Sequence, residues 1–222
     1  MKHIFLFDLD GTLTDPGTGI TNSVAYALDK YGIEVSDRSV LYPFIGPPLR
    51  ESFMKFYGFS EERAEEAVWK YREYFSERGL FENEVYPGIP EMLKNLKDQG
   101  ARLFVATSKP TGYSKQILEH FNLLGYFEDV QGSTMDGSRE KKADVIAYLL
   151  KMNQITAKDD VVMIGDRRLD IDGAKENGLA SVGVLYGYGD RSELEDADAD
   201  DIVENVSELE RKLKEMSGFK TV

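Results

Sequence analysis

The chain has 222 residues, 41% of them hydrophobic, enough for one large domain or for a core with a smaller companion. It contains no cysteine, which excludes disulfides and thiolate metal sites and fits a reducing compartment. A net charge of −13 argues against nucleic-acid polymers and anionic membranes as partners, since both are bound by concentrated Lys and Arg.

The first apolar run, residues 4–7, is too short for a signal peptide and is followed at once by charge. No stretch approaches the roughly 18–20 apolar residues of a membrane helix, so a cytoplasmic protein is expected. A small anionic substrate remains compatible with the acidic surface, because a metal ion and one or two cations can reverse the field locally.

The first predicted strand covers residues 3–7 and runs directly into Asp8-Leu9-Asp10-Gly11-Thr12. Residues two apart leave a strand on the same side, so Asp8 and Asp10 can face one reaction centre. Gly11 allows a sharp turn that brings a ligand close to the main chain. A lone Asp-Gly pair would read as a simple turn; the full order of apolar strand, Asp, apolar, Asp, Gly, Thr is far more specific.

From residue 13 to residue 102 the chain is too long for a single crossover. Ile20, Val24, Ala27, Leu28 and Tyr31 form one helical stripe, and Ser60-Glu-Glu-Arg opens another through Ala64, Ala67, Val68, Tyr71 and Phe75. Residues 15–85 are therefore expected to form an inserted helical domain, leaving 1–14 and 86–222 as the α/β core.

Beyond the insertion, helical patterns at 91–99, 114–124 and 142–152 alternate with apolar runs at 102–107, 161–164 and 181–185. Weaker strand candidates lie at 127–131 and 201–203. Strand alternating with helix predicts a Rossmann-like open parallel sheet covered on both faces. The acidic stretch 193–201 reads as a solvated loop.

Polar groups collect at the strand ends, where an open parallel sheet binds its ligands. Thr107-Ser108 follow the strand at 102–107 and could hold phosphate oxygens, although Ser108 or Thr111 could equally cap the next helix. Lys141-Lys142 lie at the start of the helix at 142–152, and one of them could turn inward. Gly165-Asp166-Arg167-Arg168-Leu169-Asp170 places two carboxylates four residues apart beyond a buried strand, on the same side if a helical turn begins there. Aspartates gathered at one mouth would repel by ~4 kcal/mol per pair at ~4 Å and an effective dielectric near 20. A hard cation with oxygen ligands would offset that, which points to Mg2+ rather than zinc.

These groups, in this order, resemble the motifs of the haloacid-dehalogenase-type (HAD) hydrolases across essentially the whole chain, with the insertion where that superfamily carries a helical cap. The resemblance implies that Asp8 is the nucleophile and Asp10 the general acid–base. It implies that Thr107, with Ser108 beside it, binds a phosphate oxygen, and that Lys142 neutralises nucleophile and phosphoryl group. Metal binding would fall to Asp8, Asp166 and the main-chain carbonyl of Asp10, supported by Asp170. Many relatives carry Lys-Pro where this chain has Lys141-Lys142-Ala143; Lys142 is favoured because it directly precedes the Ala-Asp-Val-Ile run, and Lys141 stays open.

The segments Tyr86-Pro87-Gly88-Ile89 and Phe44-Ile45-Gly46-Pro47-Pro48-Leu49 look like the phosphoglycolate-phosphatase and 5′-nucleotidase-like branch. The expected activity is Mg2+-dependent hydrolysis of a small phosphorylated metabolite (phosphoglycolate, a nucleoside monophosphate or a sugar phosphate) through an aspartyl phosphate, by a monomer or small homo-oligomer. A phosphomutase of β-phosphoglucomutase type, a haloacid dehalogenase (which Asp10 disfavours) and a non-catalytic binding protein on the same fold are the rival readings.

Overall fold

The computed structural model describes residues 1–220. Two compact units emerge: residues 1–14 with the chain from 85 onward, and Asp15–Glu84.

The first unit is built on a six-stranded sheet. Its strands are β1 (Ile4–Phe7), β4 (Arg102–Pro110), β5 (Asp129–Ser133), β6 (Val161–Gly165), β7 (Ala180–Val184) and β8 (Asp201–Val203), in the order β5-β4-β1-β6-β7-β8. All neighbouring pairs are parallel. Two two-residue strands, β2 (Thr14–Asp15) and β3 (Glu84–Val85), lie where the chain leaves and rejoins this unit. The chain first builds outward from β1 through β4 to β5, then returns to lay β6 on the other flank of β1. Strand order reverses there, so the carboxyl end of β1 opens at the switch point.

Both sheet faces are buried, as the near-continuous apolar runs require. On one face Ile4 and Leu6, Phe104 and Ala106, and Val161 and Met163 pack with Val145, Ile146, Leu149 and Leu150 of α6 (Lys142–Met152) and Ala174 of α7 (Arg168–Glu176). Phe5, Phe7, Leu103, Val105, Val162 and Ile164 point the other way and are equally buried. Helices α4 (Ile89–Asp98), α5 (Thr111–His120) and α9 (Val206–Ser217) complete the unit.

Two expectations need adjustment. Strand β4 continues to Pro110, so the next helix begins at Thr111, and Asn122 at φ +56° keeps the chain from continuing as a helix to residue 124. The acidic stretch 193–201 is a loop only over residues 197–200. Residues 191–196 form a short helix, α8, because Asp190 accepts a capping bond from the Glu193 N–H and Leu194 buries itself against Ile171.

The second unit contains α1 (Gly17–Asp29), α2 (Leu49–Tyr57) and α3 (Glu61–Tyr74), with a 3-10 turn over Arg38–Phe44 and a π turn over Phe75–Gly79. Ile20, Val24, Ala27 and Leu28 are buried along α1. Ser60 caps α3 by accepting from the Arg63 N–H at 3.3 Å. The interior is aromatic: Phe53 meets Phe44 at 5.1 Å and stacks on Phe59 at 5.9 Å, and Tyr31 meets Phe59 at 5.1 Å.

Candidate active site

The register of the central strands levels the polar groups. Phe7 pairs with Val105 on one side and Ile164 on the other, so Asp8, Ala106 and Gly165 stand at one level of the sheet. The Asp8 N–H donates to the Ile164 carbonyl at 2.8 Å, which prolongs the ladder by one residue.

Three buried carboxylates converge there. Asp8, Asp166 and Asp170 each offer an oxygen, and these oxygens lie within 4.8 Å of one another. Asp170 returns to the site because α7 starts at Arg168; one of its oxygens accepts from the Arg167 N–H at 3.1 Å and so caps the helix. Its other oxygen, Oδ1, lies 2.7 Å from Lys142 Nζ.

Lys142 is the inward lysine; Lys141, its neighbour, is exposed. The Lys142 ammonium lies 2.8 Å from Asp8 Oδ1 and donates to the Ala106 carbonyl at 3.1 Å, so it ion-pairs with both Asp8 and Asp170. Burial alone would discharge this amine, but Asp170 and Asp8 outweigh burial and hold its pKa above the usual lysine value. The opposite holds for the acids. Burial first, then the charges of Asp170 and Asp8, push Asp166 well above the carboxylate range. Burial also pushes Asp170 up to about 6 despite the pull of Lys142.

This donor set fits a hard divalent cation. It is all oxygen, it carries more negative charge than one lysine offsets, and buried Asp166 Oδ1 has no hydrogen-bond partner. The carboxylate of Asp10 is not part of the cluster. Its Oδ2 is 2.9 Å from Lys109 Nζ, while Oδ1 is buried without a hydrogen bond. Burial pushes the Asp10 carboxyl up, against the opposing pull of Lys109.

Thr107 is buried, and its Oγ1 accepts from the Lys109 N–H at 3.2 Å. That leaves its own O–H to donate to an incoming group. Ser108, between them, is half-buried and enters none of these contacts.

Two features escape a sequence reading. One is Lys109, since a lysine in a sequence reads as solvent-exposed. The other is the loop after β7, residues 185–190. There the Tyr188 N–H donates to Asp166 Oδ2 at 2.7 Å, and the Tyr186 hydroxyl donates to the Thr12 carbonyl at 3.0 Å. A Cβ on Gly187 would strike the Gly11 carbonyl and Asp166, and one on Gly189 would strike the Asp166 carbonyl. Gly11 itself sits at φ +79° with its bare Cα against the Asp166 carboxylate. The spacing Gly187-Tyr188-Gly189 after an apolar strand was the available signal.

The family pattern described as haloacid dehalogenase-like hydrolase matches residues 5–184. The chain belongs to the haloacid dehalogenase-like hydrolases. It is 50% identical over 189 residues to a 5′-nucleotidase of Pseudomonas aeruginosa, spanning 85% of each chain. It is 38% identical over 216 residues to the tyrosine-protein kinase PtkA of Mycobacterium tuberculosis, covering 97% of this chain and 72% of that one. The crystal structure of a predicted phosphatase from Clostridium acetobutylicum superposes with a TM-score of 0.95 at 52% identity, covering 97% of this chain and 99% of the other. Among the described residues, no helix is long and apolar enough to cross a membrane.

Proposed function

We propose that this HAD-family phosphatase hydrolyses a small phosphate monoester by transferring the phosphoryl group to Asp8 and then to water. The observation that carries the reading is the placement of Asp8 at the switch point of the sheet. There Lys142 bridges it to Asp170, and Asp166 stands in the same carboxylate cluster.

A carboxylate nucleophile divides one difficult displacement into two easier ones. Lys142 holds Asp8 Oδ1 in place and offsets charge as the phosphoryl group arrives. The Leu9 N–H, donating to the same oxygen at 2.8 Å, fixes the carboxylate plane. Thr107 donates its hydroxyl to a phosphoryl oxygen. Asp10 protonates the leaving alcohol and then takes a proton from the water that attacks the acyl phosphate. Burial, which favours the protonated acid, suits Asp10 to the first of these tasks.

Mg2+ is the cation we assign to the cluster, held by Asp8 and Asp166 with the Asp10 main-chain carbonyl and supported by Asp170. Bound there, it would neutralise the carboxylates and polarise the phosphoryl oxygens. The substrate class is phosphoglycolate, nucleoside monophosphates or sugar phosphates. The similarity to a 5′-nucleotidase puts nucleoside monophosphates first in a screen.

The test is rapid quench of the Mg2+-loaded protein with radiolabelled substrate, followed by peptide mapping. Label on the peptide carrying Asp8, chased into inorganic phosphate, is the expected result. Label passed to a second sugar hydroxyl without free phosphate would make the protein a mutase. Turnover undiminished in Asp8→Asn would refute the covalent route.

A further inference from the structure

Lys109 is a buried cation at the mouth of the sheet to which the chemistry above gives no task. Its Nζ lies 2.9 Å from Asp10 Oδ2, and both side chains are almost wholly enclosed, at 5% and 10% exposure. A buried ion pair adds little net stability over a well-packed apolar pair, because desolvation cancels most of the attraction. What it supplies is direction, since it holds one carboxylate oxygen and leaves the other to act.

The backbone beneath Lys109 is built to hold that direction. Register between β4 and β5 shifts between Ala106 and Pro110, an irregularity that re-aims the side chains of the strand end. The Lys109 N–H is tied to Thr107 Oγ1 at 3.2 Å, and the Ser114 hydroxyl donates to the Pro110 carbonyl at 3.1 Å. The Lys109 carbonyl rests against the bare Cα of Gly132, where a Cβ would collide with it. The strand end therefore has little freedom to swing. At its tip the ammonium meets Oδ2 of Asp10, while Oδ1 stays buried without a partner.

We propose that Lys109 is a positioning residue that orients the Asp10 carboxyl so that Oδ1 meets the leaving-group oxygen and then the attacking water. The inference rests on Asp10 being the general acid–base of the proposed hydrolysis. In the first half-reaction the bond from phosphorus to an Asp8 oxygen forms and the bond to the leaving oxygen breaks. The proton on Asp10 Oδ1 passes to that leaving oxygen. In the second, a water oxygen bonds to phosphorus, its proton passes to Oδ1, and the bond between phosphorus and Asp8 breaks. Both transfers use one oxygen, so turning the carboxyl plane would spoil both.

The experiment compares kcat/KM of wild type and Lys109→Met over esters of graded leaving ability, from p-nitrophenyl phosphate to simple alkyl phosphates. A poor leaving group needs its proton from the enzyme, whereas p-nitrophenolate hardly does. We expect a loss on the order of 10²-fold for alkyl esters and within about threefold for p-nitrophenyl phosphate, the range of one general acid. In the Asp10→Asn background the same substitution should add nothing to the leaving-group dependence.

Because the chain has no cysteine, Lys109→Cys can be alkylated selectively with 2-bromoethylamine, which rebuilds an ammonium of nearly the same reach. Recovery of alkyl-ester turnover is expected. An equal loss on all esters, with KM raised throughout, would overturn the proposal and make Lys109 a phosphate-binding or purely structural group. So would unchanged kcat/KM across the series. Neither outcome touches the Asp8 reading, which stands or falls with the phosphoenzyme trap.

Discussion

The two units bury their interiors by different rules. In the helical unit the core is aromatic and aliphatic, and its buried hydroxyls are satisfied one turn back along their own helices. Thr21 donates to the Gly17 carbonyl at 2.7 Å, Ser23 to the Gly19 carbonyl at 2.6 Å, and Ser52 to the Pro48 carbonyl at 3.1 Å. At the mouth of the α/β unit, by contrast, Asp8, Asp10, Asp166 and Asp170 are buried together with Lys109 and Lys142, and oxygens of Asp10, Asp166 and Thr12 have no hydrogen-bond partner. Buried polar groups that a protein leaves unsatisfied weaken its fold. Asn83 Oδ1 in the helical unit is also without a partner, but among the described residues most such oxygens gather at this strand end, where on the proposed function local stability is yielded to chemistry.

The contrast predicts opposite phenotypes for substitutions in the two places. Asp8→Asn is nearly isosteric and relieves like-charge crowding. Turnover should fall by on the order of 10³-fold or more while thermal stability is kept or improved. Steady-state kinetics alongside calorimetry would check both halves, and a variant that melts early would break the comparison. Phe53→Ala removes a fully buried ring from the aromatic cluster of the helical unit. Its stability cost should be about 3–5 kcal/mol by denaturant unfolding, with the Mg2+ concentration needed for half-activation unmoved.

Gly189→Ala sharpens the boundary between the two rules. Its Cβ would press on the Asp166 carbonyl, so both fold and metal site should suffer. We expect a loss of about 1–3 kcal/mol from overpacking and a Mg2+-induced rise in melting temperature well below that of wild type. A full metal-induced shift in this variant would show that the loop at residues 185–190 does not hold Asp166 in place.

Much of this was legible in the sequence, and the reasons are physical. Apolar runs of four or five residues that pack on both faces have to be central strands, so the α/β class followed from residues 4–7 and 161–164. Asp8-Leu9-Asp10-Gly11-Thr12 was legible because the spacing itself dictates a shared face. Which of Lys141 and Lys142 turns inward depended on where α6 begins, and helix ends are poorly specified by local sequence. Lys109 was not legible because nothing in its neighbours announces burial; its environment is supplied by Asp10, which lies 99 positions away. The same holds for Gly187 and Gly189, whose small size matters only because the Gly11 carbonyl and Asp166 come near them in space. The helix Leu49–Tyr57 escaped because Pro47-Pro48 reads as a break, although such prolines can also precede a helix start.

The finest expected effect concerns pH in the metal-stripped protein. Asp170 is pushed up to about 6 from an ordinary 3.8, and Asp166 also lies well above that value. Groups whose folded pKa is raised in this way contribute their stability at low pH, where the unfolded chain is protonated too, and lose it as pH rises through the folded pKa. Without divalent ions, this cluster should therefore weaken the fold progressively from about pH 4 to above pH 6. Asp136, lowered to about 2 by hydrogen bonds from Thr134 and Ser138, contributes with the opposite sign and below that window, its stability being lost as pH falls from about 4 towards 2. The cluster is isolated by subtracting the curve of Asp166→Asn, which keeps an acceptor for the Tyr188 N–H but cannot ionise. The difference in melting temperature, variant minus wild type, should grow with pH across that window and be eliminated or reversed by Mg2+, which on the proposed assignment only the wild type binds well. A difference that stays flat with pH would mean that the three carboxylates are not crowded enough to need a cation, and the contrast between the two units would lose its physical basis.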